Sequence, residues 1–326
     1  MKLHEPGIYI GMPADEYHAD PALGSSNIKD LIKSPRKYWL RSPYNPDRDR
    51  YVDPETDSTV MGTALHCRLL DGDIKFVKSY ARRPDDLAGA TPADKAKVTK
   101  AFNASLEGTG KIALKADEWQ LIEDTHSVIT AHPDLAQVFK DALYEVSIFW
   151  HDRRTGTRCK ARLDILKPRG IGDLKTIANE RDNRLEKACK FHIKSYRYDI
   201  QAEHYLEARR QVPQFVENGD VFYHIENVHP MRSSGYVDQL SAVAREGRFA
   251  FQLVFVSKAL PEVWSCVLSP GNPMLATARD HIDTALEEFE RLRNAPLLST
   301  GHAWPETWSL QELAIEDMPG GTFGWD

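Results

Sequence analysis

Apolar and polar positions change their period along the chain. In the first third they recur at helical spacing, in broken pieces. GSSNIKDLIKSPRKYWL (24–40) offers Ser25 or Ser26 as an N-cap, a short amphipathic turn, a break at Pro35 and a second short helix. RSPYNPDRDRYVDPETD (41–57) is polar, holds three prolines and predicts a loop. TVMGTALHCRLLDG (59–72) predicts a helix with Leu65, Leu69 and Leu70 on one side. Residues 85–112 are polar and are expected to be mobile. ADEWQLIEDTHSVITAHPDLAQVFKDAL (116–143) predicts a helix that stops near Pro133 and a second one after it.

The middle of the chain switches to a period of two. YEVSIFWHD (144–152), TRCKARLDIL (157–166) and IGDLKTI (171–177) predict three consecutive strands, joined by RRTG and KPRG turns. A long helix is expected from about Asn183 to Arg210. VFYHIENV, FAFQLVFVSK and EVWSCVLS predict further strands, and NPMLATARDHIDTALEEFERLRN (272–294) a closing helix. Helices, an antiparallel meander, a long helix, more strands and a last helix describe an α/β fold: a single domain with helices against a central mixed β-sheet. Neither an internal repeat nor a low-complexity linker divides it.

Composition narrows the class. The chain has 326 residues, 41% hydrophobic and 28% charged, as expected of a soluble globular protein. No apolar run reaches the roughly 18 residues of a membrane span, so no membrane association is expected. MKLHEPGIYIGMPADEYH lacks a signal core with a cleavage site, which predicts a cytoplasmic protein. Cys67, Cys159, Cys189 and Cys266 lie far apart with no CxxC pair. They read as reduced structural thiols rather than disulfides, a zinc knuckle or an iron–sulfur cluster. The net charge of −6 argues against a nucleic-acid partner until its distribution is considered. Residues 153–197 hold 14 Lys/Arg and 5 Asp/Glu, a local +9 that leaves −15 for the rest. That segment is either a solvated basic face or a surface for a polyanion.

The candidate chemistry lies in ARLDILKPRGIGDLK (161–175), where two strand-like runs each carry an aspartate. Burying a carboxylate is costly unless it is paired or bound to a metal. Asp173 and Lys175 are two apart and share a strand face, as do Arg162 and Asp164, and the short turn lets Asp164 lie beside Asp173. Two adjacent carboxylates repel unless a cation lies between them. Mg²⁺ suits such a pair, filling its other positions with water and phosphate oxygens. A lysine on the same face could orient or deprotonate a water, or neutralise charge on a phosphorane. These are the parts of metal-assisted phosphodiester hydrolysis. The alternative is that each aspartate simply pairs with its neighbouring cation. Gln201 and Tyr205, four apart on one helix face, Glu145 on the strand beside Asp164, and His66 among apolar neighbours are further candidates. KACKFHIKSYRYDIQ (187–201) interleaves Lys187, Lys190, Lys194 and Arg197 with Phe191, Tyr196 and Tyr198, a composition suited to phosphate contact and base stacking. Arg162 could touch the cleaved phosphate or brace Asp164.

Taken together, GTALH, YE, ARLDIL, GDLKT and QAEHY resemble, in order and spacing, the RecB-like branch of the PD-(D/E)xK nuclease superfamily. GIYIGMPADEYHADPALGSSNIKDLIKSPRKYW (7–39) further resembles the RecE-type exonucleases, the exodeoxyribonuclease VIII group of phages and prophages. The resemblance covers about residues 7–210 and is specific as an ordered set, while no single motif is. It implies a mostly helical part over 1–135, a nuclease core over 140–295 and a tail over 296–326. It implies His66, Asp164 and Asp173 as metal ligands, with the Leu174 carbonyl as a further one, Lys175 as the catalytic lysine and Glu145 at the same site or a second ion. Gln201 and Tyr205 would be the QxxxY pair that positions the site and the scissile strand.

Such enzymes use Mg²⁺ or Mn²⁺. They degrade linear double-stranded DNA from the 5′ end, leaving a 3′ strand for a single-strand annealing protein, and some form homo-oligomeric rings, such as a tetramer. Ser34 stands where members with an iron–sulfur cluster carry a cysteine, so no cluster is implied. No helicase motif is present, so the protein is expected to act alone or with a separate partner. An endonuclease on the same core, a non-catalytic DNA-binding recombination protein, and a small-molecule hydrolase remain as alternatives. The last lacks a nucleophile motif such as GxSxG.

Overall fold

The computed structural model describes residues 3–51, 57–84, 87, 89–178, 183–224 and 235–294. The tail expected over 296–326 and the second half of VFYHIENV lie outside these residues. The chain opens with strand β1 (Gly7–Ile10) and helices α1 (Ala14–Ala19), α2 (Ser25–Lys33) and α3 (Pro35–Arg41). Helix α4 (Asp57–His66) runs into a π-helical turn, Cys67–Asp71, and α5 (Asp73–Ser79) follows. Strand β2 (Tyr80–Arg82), α6 (Pro92–Leu106), β3 (Ile112–Leu114), α7 (Ala116–Ala131) and α8 (Pro133–Phe139) complete the first part. The meander is β4 (Leu143–His151), β5 (Arg158–Lys167) and β6 (Gly170–Ile177). Helices α9 (Leu185–Ser195) and α10 (Tyr198–Asn218), β7 (Val221–Tyr223), α11 (Tyr236–Arg245), β8 (Ala250–Ser257), β9 (Val263–Leu268) and α12 (Pro273–Arg293) follow.

Seven strands form one mixed sheet in the order β7-β1-β4-β5-β6-β8-β9, and β2 and β3 make a separate parallel pair. Strand β8 shows how the sheet is covered on both faces. Its Phe251, Leu253 and Phe255 enter the main core with residues of α10 and α12, while Val254 and Val256 enter a second core with residues of α4 and α7. An α/β fold with helices on a central mixed sheet is what the alternating periods predicted.

Three local departures from the sequence reading have physical causes. The single helix expected over 183–210 is two helices, broken at Arg197, which has φ 50°. Neither Gly nor Pro marks the break. Instead the Arg197 guanidinium is held by Asp199 (2.8 Å) and His281 Nδ1 (2.8 Å), a tertiary tether that a local pattern does not carry. The polar stretch 85–112, to which the pattern assigns no element, contains α6. Thr91 and Asp94 cap each other's backbone and Pro92 starts the helix, although no residue of it is buried. Finally GIYI, too short to read as a strand, pairs antiparallel with β4 and parallel with β7. Between α2 and α3, Ser34 is the hinge: it ends one helix, and its Oγ accepts the Lys37 amide (3.4 Å) to start the next at Pro35.

The feature that places the site is a fork in the sheet. Strands β5 and β6 pair only from Lys167↔Gly170 to Ile165↔Gly172. Beyond that, β6 leaves β5 and runs with β8 as far as Ile177. At the fork the ladder bond is replaced by a side chain, because Asp164 Oδ2 accepts the Leu174 amide at 2.8 Å.

Candidate active site

Three adjacent strands bring one acid each to the fork. The register of β4 on β5 sets Glu145 opposite Asp164, between the pairs Tyr144↔Ile165 and Val146↔Leu163. The register of β5 on β6 continues the row to Asp173. Glu145 has φ 53°, a left-handed conformation for a non-glycine residue inside a strand. Such a conformation costs on the order of 1–2 kcal/mol and persists only where surrounding contacts impose it. Here the Arg162 guanidinium ion-pairs with Glu145 Oε2 and also donates to Met12 O (2.8 Å) and Ser147 Oγ (3.3 Å). Arg162 therefore braces Glu145, not Asp164.

Helices close the site on both sides. His66 ends α4, just before the π turn, with Nε2 3.3 Å from Asp164 Oδ2 and Nδ1 3.6 Å from Glu145 Oε1. Gln201, on the first turns of α10, donates to Asp173 Oδ1 at 2.7 Å. Tyr205 lies one turn further along α10, edge-on to Phe251 at 6.1 Å. The Lys175 ammonium ion-pairs with Asp173 Oδ2, and Tyr198 lies 5.2 Å from it through its ring. Leu174 brings its amide to the site through Asp164.

The charges are arranged unevenly. Burial, helped by the Asp164 charge and opposed by Lys175, pushes Asp173 up to about 6. Burial and the Asp164 charge likewise raise Glu145. Asp164 resists its own burial and stays below the usual carboxylate range, because His66, Lys175 and the Leu174 amide favour its charged form. Burial would depress His66, but Asp164 and Glu145 lift it to about 9. Lys175, too, is raised against burial, by Asp173 and Asp164.

These residues fit a divalent cation. Ligand-type atoms of His66, Glu145 and Asp164 lie within 4.8 Å of one another. Glu145 Oε1 is buried and accepts no hydrogen bond, which leaves it available to an ion, while Asp173 Oδ2 faces the Lys175 ammonium. A hard cation takes such oxygen donors, and neutral imidazole joins them readily. Of the expected ligands, His66 and Asp164 share this cluster with Glu145; Asp173 lies beside it on the Lys175 side, and Leu174 reaches Asp164 through its amide.

The expected nucleic-acid contacts divide. Lys187, Lys190 and Lys194 are exposed on α9, Lys190 pairing with Glu186 at 2.5 Å. Tyr198 lies against the site, stacked on the exposed Tyr196 at 5.9 Å. Arg197 is engaged by Asp199 and His281 at the α9–α10 break. Two site neighbours were missed. Tyr17 stands behind Arg162, whose guanidinium is 6.0 Å from its ring, and Lys29 of α2 reaches Tyr198. No spacing in the sequence ties either to residues more than a hundred positions away.

A mixed sheet forked at its centre, with acids from adjacent strands and a lysine two residues after one of them, defines the class: a PD-(D/E)xK-type α/β fold. The chain belongs to the family described as "PDDEXK-like domain of unknown function (DUF3799)", whose model matches residues 24–230. Membership suggests a nuclease of that superfamily, whose members use divalent metals. A search of curated proteins found no match. Among the described residues, no helix is long and apolar enough to cross a membrane.

Proposed function

We propose that the protein is a metal-dependent exodeoxyribonuclease that hydrolyses linear double-stranded DNA from its ends, 5′ to 3′, leaving 3′ single strands. The observation that carries the hydrolytic part is the row Glu145–Asp164–Asp173 beside Lys175, with Glu145 Oε1 buried and accepting no hydrogen bond. The preference for ends rests on the likeness of residues 7–39 to RecE-type exonucleases. His66, Asp164, Asp173 and Glu145 would hold Mg²⁺, or Mn²⁺ in its place, with the Leu174 carbonyl as a further ligand. When bound, the ion supplies Lewis-acid activation of water and stabilisation of the leaving oxygen.

The remaining roles belong to side chains. Lys175 orients the attacking water or neutralises charge that develops on the phosphorus oxygens. Gln201 fixes the Asp173 carboxylate through its 2.7 Å hydrogen bond, and Arg162 fixes Glu145. Tyr205 stands on the same helix face as Gln201 and positions the scissile strand. Lys187, Lys190 and Lys194 give α9 a positive face for the duplex backbone. On the same resemblance, the protein works in the cytoplasm as a homo-oligomeric ring and hands its product to a single-strand annealing protein.

Digestion of end-labelled linear duplex and closed circular duplex, in Mg²⁺ and in EDTA, tests the reading. Nucleotide release from the linear substrate in Mg²⁺ alone is expected, with the circle spared. Cutting of the circle would replace the exonuclease by an endonuclease. Asp173→Ala and Lys175→Ala should each abolish degradation with the fold intact, and full activity in either would contradict the site assignment.

A further inference from the structure

We infer that Lys29 is a substrate-contacting residue that grips a DNA phosphate at the mouth of the site, separate from Lys175. This rests on the nuclease reading above. Helix α2 anchors itself in the main core through Ile28 and Leu31, which leaves Lys29 on its flank, directed toward the start of α10. Its ammonium lies 5.6 Å from the centre of the Tyr198 ring and donates to the Tyr196 carbonyl at 3.3 Å. Lys175 lies 5.2 Å from the same ring. One tyrosine therefore carries two ammonium groups, from elements far apart in sequence.

The two amines differ in their counter-charges. Lys175 has Asp173. Among the described residues Lys29 has no carboxylate within ion-pair distance, and each nearby acid is already engaged. Asp30 pairs with Lys37 (2.5 Å), Asp199 with Arg197 (2.8 Å), and Asp173 with Lys175 and Gln201. A half-buried cation beside a second cation, whose nearby acids Asp173, Asp30 and Asp199 are each engaged elsewhere, is suited to take up a further anion. Burial and the neighbouring Lys175 depress Lys29 to about 8, so it still carries its charge at neutral pH. A phosphodiester bound between the two ammonium groups relieves their repulsion and supplies Lys29 with its missing partner. Lys29 then holds backbone next to the phosphate being cleaved, and does no proton transfer.

Binding of a fluorescent duplex, followed by anisotropy in EDTA over a range of KCl concentrations, tests this without turnover. Lys29→Ala and the stem-preserving Lys29→Met should lower the slope of log affinity against log salt by about 1, and weaken binding roughly fivefold to tenfold near 0.1 M salt. Lys29→Arg should keep the wild-type slope, which a merely structural loss of the Tyr196 contact would not predict. In Mg²⁺, Lys29→Met should raise KM more than it lowers kcat. A variant with wild-type melting temperature and an unchanged salt slope overturns the inference while leaving the nuclease reading intact. If Lys29→Ala does not fold, Lys29→Met against Lys29→Arg decides the same question. A wild-type protein that fails to bind duplex at all overturns both.

Discussion

The replacement Asp173→Asn separates a metal ligand from a structural ion pair. Asp173 is 1% exposed, and its carboxyl is pushed from about 3.8 to about 6 by burial, with the Asp164 charge adding and Lys175 opposing. A carboxyl raised in the folded state binds its proton more tightly there than in the unfolded chain. The metal-free fold therefore loses stability as pH rises from about 4 to about 6, and the loss stays in place above that. Two pKa units correspond to about 3 kcal/mol at neutral pH. Asparagine keeps the shape and can still accept the Gln201 hydrogen bond, but it removes the charge. The variant also leaves Lys175 without its nearest acid, which offsets part of the gain. Asp164 remains to support Lys175, so a net stabilisation of about 1–2 kcal/mol is expected in EDTA.

At roughly 2 °C per kcal/mol for a chain of this size, that is a rise of a few degrees in melting temperature. Mg²⁺ should reverse the order. A ligand at a hundred times its dissociation constant stabilises the wild type by about 2.7 kcal/mol, and a variant that has lost a ligand gains little. Thermal melts of both proteins at pH 7.5, with EDTA and with Mg²⁺, read the whole comparison. A variant that melts below the wild type in EDTA would show that Asp173 and Lys175 are a plain buried ion pair. Equal elevation of both proteins by Mg²⁺ would remove Asp173 from the metal site.

Other outcomes follow from the same contacts. Gln201→Ala strips Asp173 Oδ1 of its 2.7 Å donor, and loss of such an orienting partner should weaken metal affinity or turnover about 10- to 100-fold; unchanged Mg²⁺ affinity and kcat would make Gln201 a bystander. His204, buried with Nε2 3.0 Å from the Lys160 carbonyl, is depressed by burial to about 4. Its contribution to stability is full above pH 6.5 and is lost as pH falls toward 4, about 3 kcal/mol in all. His204→Asn should flatten the acid side of the stability–pH curve in denaturant titrations, and an unaltered acid limb would show that His204 is not the group that titrates.

The fold and much of the site were legible for different reasons. Alternating runs such as FAFQLVFVSK declare a strand buried on both faces, because its odd and even residues feed separate cores. Asp164, Asp173 and Lys175 were legible because they sit in apolar strands where a charge is expensive. Their relative placement needed only a short turn. What stayed hidden depends on contacts across the fold. The helix break at Arg197 is held by Asp199 together with His281, 84 residues away. Lys29 reads as one more cation on an amphipathic helix until α2 packs beside α10. The bracing of Glu145 by Arg162 is likewise absent from the pattern, since strand alternation says nothing of a residue at φ 53°.

That strained residue and the fork belong together. In a regular ladder the backbone amide of Leu174 would bond to a neighbouring strand's carbonyl, and the acids would face one another across unbroken pairing. Instead β6 departs toward β8, and Asp164 spends one carboxylate oxygen on the orphaned amide of Leu174. That bond fixes Asp164 in position and, after His66 and Lys175, helps to hold it charged, while its neighbours Glu145 and Asp173 are pushed toward protonation. Two carboxylates biased toward their neutral forms beside one held ionised is a costly arrangement in a metal-free protein. A divalent ion reverses that cost, because it stabilises the charged form of every acid it touches. The strain at Glu145 is consistent with this account: left in an ordinary strand conformation, its side chain would have no reason to be turned to His66 and Asp164. The geometry of the fork, more than any single residue, is what makes a cation the natural occupant of the site.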